Sequence, residues 1–130
     1  MVNYVPWSNN WEQFAPEHLV DGDLSTYIHT QSISAQKPFI FTVDMGKEIT
    51  ANRMYVNTQP RQDYRYPKDF QLYGSLDGEN FFKIGDYTDV PIISNNRIVV
   101  DFELTKFRYY RMIVTKSSNN YIIIGRLCYY

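Results

Sequence analysis

The sequence predicts an all-β sandwich in one domain, on three observations: short alternating runs recur along the chain, turn residues separate them, and aromatic residues are plentiful. The chain has 130 residues, the size of one ordinary domain and enough to bury a core without staples. Its 12 tyrosines and 8 phenylalanines help raise the aromatic share to 17%, and aromatic and β-branched residues favour strands. No stretch carries the apolar spacing of an amphipathic helix.

Residues 8–36 contain Asn9-Asn10, Pro16, Asp21-Gly22-Asp23 and Ser25-Thr26, and read as a long polar loop. The first clear strand is Phe39 to Val43, with Phe39, Phe41 and Val43 on one face; Met45-Gly46-Lys47 then turns the chain. Arg53 to Thr58 alternates again, with Met54, Val56 and Thr58 facing one way, before Pro60 breaks it. A second polar loop follows from Gln59 to Lys68. Phe70 to Ser75, Asp77-Gly78 and Phe81 to Ile84 form strand, turn and strand, the strongest short-range hairpin signal. Ile98 to Phe102 and Tyr109 to Thr115 alternate on either side of Glu103-Leu104-Thr105-Lys106, and Ile122 to Tyr130 is the last run. Seven or so short strands separated by turns argue a sandwich.

The formal net charge is −1, so no overall positive field gathers phosphates, which argues against nucleic acid as a partner. Cys128 is the single cysteine and forms no disulfide within the chain. No apolar run is long enough to span a bilayer, and Met1 to Trp7 lacks the regions of a signal peptide. The chain is therefore expected to be cytoplasmic or a domain excised from a longer secreted protein; a last strand running to Tyr130 favours the second. One cysteine and two histidines, with no nucleophile elbow, paired metal-binding histidines or phosphate-cradling glycine loop, argue against an enzyme.

Five segments, in order, resemble a known family. Leu19-Val20-Asp21-Gly22-Asp23-Leu24-Ser25-Thr26-Tyr27-Ile28-His29-Thr30 is similar to the signature near the start of factor V/VIII type C, or discoidin, domains, although Ile28 stands where that family usually has Trp. Phe41 to Lys47 resembles its apolar strand ending in Asp-Leu-Gly. Pro60-Arg61-Gln62 resembles the opening of a binding loop in its sugar-binding members. Phe70 to Gly78 and Arg108-Tyr109-Tyr110-Arg111-Met112 resemble two further segments. The resemblance implies a discoidin-like, galactose-binding-like jelly-roll β-sandwich of about eight antiparallel strands over residues 1–130. The Pro-Arg-Gln loop and His29 point within the superfamily to bacterial family-32 carbohydrate-binding modules, which are appended to secreted, glycan-acting enzymes.

The same resemblance implies the site. His29 would hydrogen-bond a sugar hydroxyl, and Arg61 would grip two neighbouring hydroxyls with its rigid fork. Asn119 or Asn120 would add amide contacts, and Tyr121 would stack on the apolar face of a pyranose. Trp11 or Glu12 is the candidate from the first loop. Against these stand plainer readings: a loop-stabilising histidine, a solvated arginine, a tyrosine covering the rim. Asp21, Asp23 and Thr26 match positions that help hold a structural calcium in many relatives, but Arg126 occupies the place of the glutamate that completes its shell, and a guanidinium there disfavours calcium. The expected function is a non-catalytic module recognising terminal galactose-type or N-acetylhexosamine sugars, linked to a catalytic domain at an extracellular, periplasmic or cell-surface location. The competing readings are a protein- or anionic-membrane-binding domain, with Trp11 or the Tyr64/Tyr66 pair as apolar spikes, and a structural spacer of a larger enzyme.

Overall fold

The computed structural model describes residues 2–3, 9, 12, 27–58, 66–93, 97–118 and 121–130. Seven antiparallel strands run through them: β1 (Val2–Asn3), β2 (Ile28–His29), β3 (Phe39–Thr58), β4 (Pro67–Ser75), β5 (Phe82–Tyr87), β6 (Arg97–Ser117) and β7 (Ile123–Tyr129). Two of them are long and serve both layers of the fold. The first half of β3 pairs with the second half of β6, in the order β5-β4-β6-β3-β1; the second half of β3 pairs with the first half of β6, in the order β6-β3-β7-β2.

The expected turn at Met45-Gly46-Lys47 is a bulge inside β3, so 39–43 and 53–58 belong to one strand and not two. Between the pairs Asp44↔Tyr109 and Ile49↔Phe107 the register slips, and residues 45–48 loop out of the ladder. Gly46 takes φ +81°, open to it without the clash a Cβ would bring, and its N–H donates to Asp44 Oδ1 at 2.8 Å. The Arg108 guanidinium grips the same carboxylate at 2.8 and 3.0 Å. These bonds hold the Asp44 carboxyl at about 2, with the Arg108 bond the largest cause. Likewise 98–102 and 109–115 join into β6, whose slip between Ala51↔Thr105 and Arg53↔Asp101 pushes out residues 102–104. Two residues of the expected 8–36 loop, Ile28 and His29, form a short strand against β7.

Alternation puts one face of each strand inside. Phe39, Phe41, Tyr110, Met112, Val114, Phe70 and Leu72 from one layer, and Met54, Val56, Ile98, Val100, Ile124 and Leu127 from the other, form a single core. The predicted hairpin is present. Between β4 and β5, Gly78 takes φ +80°, and the Asp77 carboxylate accepts the N–H groups of Glu79 and Asn80 at 2.8 Å each and the Asn80 amide at 2.7 Å. The backbone bond from Asn80, then that from Glu79, drive its carboxyl far below the ordinary carboxylate range.

Candidate functional site

Strand β2 exists because β7 offers it an edge. Ile28 pairs with Ile124 and His29 with Ile123, and both β2 residues are buried. Thr30 then clamps the next turn: its N–H donates to the Ile122 carbonyl at 2.9 Å, and its Oγ1 accepts the Ile122 N–H at 3.0 Å. Thr30 is fully buried, so this reciprocal pair satisfies polar groups that water cannot reach.

The clamp sets His29 beside Tyr121, their ring centroids 6.0 Å apart and tilted by 37°. His29 keeps 8% of its surface and Tyr121 is half-buried. On the other side of β7, Thr58 pairs with Ile124, so β3 ends in the same row as Ile28. The connection that leaves β3 there comes back at Tyr66, whose N–H donates to Ser118 Oγ at 3.1 Å and whose carbonyl accepts the Ser118 N–H at 2.9 Å. Thr58 and Tyr66, the described residues on either side of 59–65, thus lie at the end of the sandwich that carries His29 and Tyr121.

Of the expected site residues, His29 and Tyr121 are therefore brought together. Arg61, Asn119, Asn120 and Trp11 lie outside the described residues; the first belongs to the 59–65 connection and the two asparagines immediately precede Tyr121. Glu12 is exposed in a turn, and among the described residues no hydrogen bond or ion pair joins it to His29 or Tyr121. Asp21, Asp23 and Thr26 also lie outside the described residues. Arg126, the remaining position of the calcium set, sits opposite Asn57 in the ladder with its guanidinium 5.9 Å from the Tyr55 ring centre. A cation at that position does not fit the oxygen shell of a dication. No group of three or more potential metal ligands occurs among the described residues.

The sequence reading missed Thr30 and Ser118, the residues that tie the lip together. The signal was faint: a hydroxyl residue directly after the histidine, and a serine pair before the asparagines, both common in loops that are fully solvated.

Residues 3–127 match the F5/8 type C domain. No curated protein sequence is significantly similar to the chain. Solved structures are similar over the whole fold. A family-32 module of a Clostridium perfringens protein, CpGH89CBM32-5, in complex with GalNAc-β-1,3-galactose, superposes with a TM-score of 0.80 at 18% identity, covering 100% of this chain and 92% of that one. CBM32-1 from a family 31 glycoside hydrolase of Clostridium perfringens gives 0.74 at 24% identity over 98% and 89%. The CBM32-1 and CBM32-2 domains of Clostridium perfringens ZmpB in complex with GalNAc give 0.81 at 16% identity, over 100% of this chain and 32% of that one.

Proposed function

Since this chain belongs to the F5/8 type C domain family, we propose that it is a non-catalytic carbohydrate-binding module that takes terminal galactose-type or N-acetylhexosamine sugars at the lip of the sandwich. The observation that carries this reading is the His29–Tyr121 pair, at the same end of the sandwich as Thr58 and Tyr66. In the proposed complex Tyr121 packs on the apolar face of the pyranose, His29 and Arg61 bond its hydroxyls, and Asn119 or Asn120 reaches the remaining polar edge. Trp11 and Glu12 are the further wall residues proposed from the first loop. The solved relatives agree in kind: one is held with GalNAc-β-1,3-galactose and another with GalNAc. The location proposed with it is extracellular, periplasmic or at the cell surface, as part of a larger protein that carries a catalytic domain.

Binding at such a site is weak. Each protein–sugar hydrogen bond replaces bonds to water at small net gain, and a monosaccharide buries little apolar surface. Calorimetric titration with galactose, N-acetylgalactosamine and N-acetylglucosamine tests the reading. At least one sugar should bind, and Arg61→Ala should weaken it about 10- to 100-fold, the worth of a charge-assisted hydrogen bond. Tyr121→Ala should also weaken it. Unchanged affinity in Arg61→Ala removes the arginine from the site; no binding by any of the three sugars removes the specificity.

A further inference from the structure

A second polar hollow lies at the other end of the sandwich. Strand β4 starts at Pro67, opposite Ser117 near the lip, and ends at Ser75, so the β4–β5 turn is the length of a nine-residue strand away from the lip. At that turn Leu76, Asp77, Glu79, Asn80, Phe81 and Phe82 line an open hollow of about 540 Å³.

Its aromatic wall is built from the core outward. Tyr110 is fully buried and meets Phe107 edge-on at 6.0 Å; Phe107 in turn stacks with Phe82 at 6.4 Å and 14°. Phe107 has room there only because residue 74 is glycine, since a Cβ at that position would lie 2.1 Å from its ring. The column ends in Phe82, which is 61% exposed. Leu76, 54% exposed, borders the same hollow, so the open apolar surface there is a contiguous patch and not one stray side chain. The neighbouring Phe81 ring is covered by the Arg111 guanidinium at 3.8 Å, so Phe82 is the platform.

The polar groups beside it are fixed too. Asp77 spends its lone pairs on Glu79, Asn80 and Ser75, which locks the turn and leaves the exposed Glu79 carboxylate and the Asn80 amide oxygen available. A flat apolar platform with one carboxylate and one amide around it matches a hexopyranose, which presents a face of C–H bonds and a rim of hydroxyls. A preorganised turn gives up little conformational freedom on binding.

We infer that this hollow is a second carbohydrate-binding site for a neutral hexopyranose, with Phe82 as the stacking ring and Glu79 and Asn80 as its hydrogen-bonding groups. The class of ligand rests on the reading of the chain as a glycan binder; the place and the residues do not. Two sites on opposite ends let one module engage two glycan branches, and linking weak sites raises avidity without any new contact.

Backbone-amide NMR of the whole chain, titrated with galactose, N-acetylgalactosamine and N-acetylglucosamine, tests it. Two groups of shifts are expected, one around His29 and Tyr121 and one over residues 76–82. Phe82→Ala should weaken the second about fivefold or more and spare the first; Glu79→Gln should weaken the second without touching the aromatic column; Arg61→Ala should do the reverse. Shifts confined to the lip overturn the second site and leave the proposed function standing. Shifts confined to residues 76–82 overturn the lip and leave this site. No shift with any sugar overturns both, and concentration-dependent broadening of 76–82 without sugar assigns the hollow to self-association in its place.

Discussion

Gly74 shows how one residue without a side chain can build a surface. It faces Phe82 on one neighbouring strand and Tyr110 on the other, and the Phe107 ring fills the space above it. In Gly74→Ala the new methyl must displace Phe107 from a packed position, and overpacking of this kind costs about 1–3 kcal/mol. Urea denaturation should show that loss, and the ring-current shifts of Phe82 should move with it. Nothing in the sequence marks the position: a glycine inside an alternating run reads as a weak strand residue, and the ring that explains it is 33 residues further on. Thr30 is hidden in the same way, because its partner Ile122 lies 92 residues along the chain.

Among the elements, those whose cause is local were legible and those whose cause is a partner strand were not. The β4–β5 hairpin could be read because Asp77 and Gly78 make their own turn, through the carboxylate bonds and a positive φ. The unbroken runs of β3 and β6 could not, because the ladder resumes at Ile49 beyond the looped-out residues 45–48 and Arg108 of β6 holds Asp44 at the edge of the bulge, where sequence alone shows only a turn-forming glycine. Strand β2 is two residues long and has no pattern of its own. Both carboxylates carry a pH consequence. Asp44 at about 2, and Asp77 lower still, bind protons less readily folded than unfolded, where an aspartate titrates near 4. Their contribution is complete above the unfolded value and is lost as pH falls through the folded one. The urea midpoint should therefore hold steady near neutrality and drop on acidification from about pH 4 toward 2. Asp77→Asn should lower it at pH 7 and flatten the drop; an unchanged slope would show that the turn carboxylate is not responsible.

Across the whole molecule, β3 and β6 make the two layers one cooperative unit. Each strand lends its first half to one layer and its second half to the other, and the core residues of both layers form one cluster. Met54 is fully buried in the second half of β3, and Met54→Ala should cost about 2–5 kcal/mol as the cavity it leaves is only partly filled. Hydrogen exchange should show amides near Phe39 and Phe41, in the other layer, losing as much protection as those beside Met54; loss confined to residues 53–57 would mean that the layers open separately. The family motifs single out His29 and Tyr121 as candidates, but not how the fold brings the two together. His29 meets Tyr121 only through the pairing of β2 with β7, which no local pattern announces.

The position of β7 has a consequence for how this chain comes to be folded as it is made. It is last in the order of strands, yet it lies inside the sheet, with β3 on one side and β2 on the other. While residues 123–129 are still within the ribosome, β2 has nothing to pair with, the second half of β3 has a bare edge, and Ile124 and Leu127 are missing from the interior. The emerging polypeptide must wait with those strands unsealed, and closure comes as a late event that joins distant parts of the sequence, the kind of step that is slow and leaves nascent chains open to aggregation.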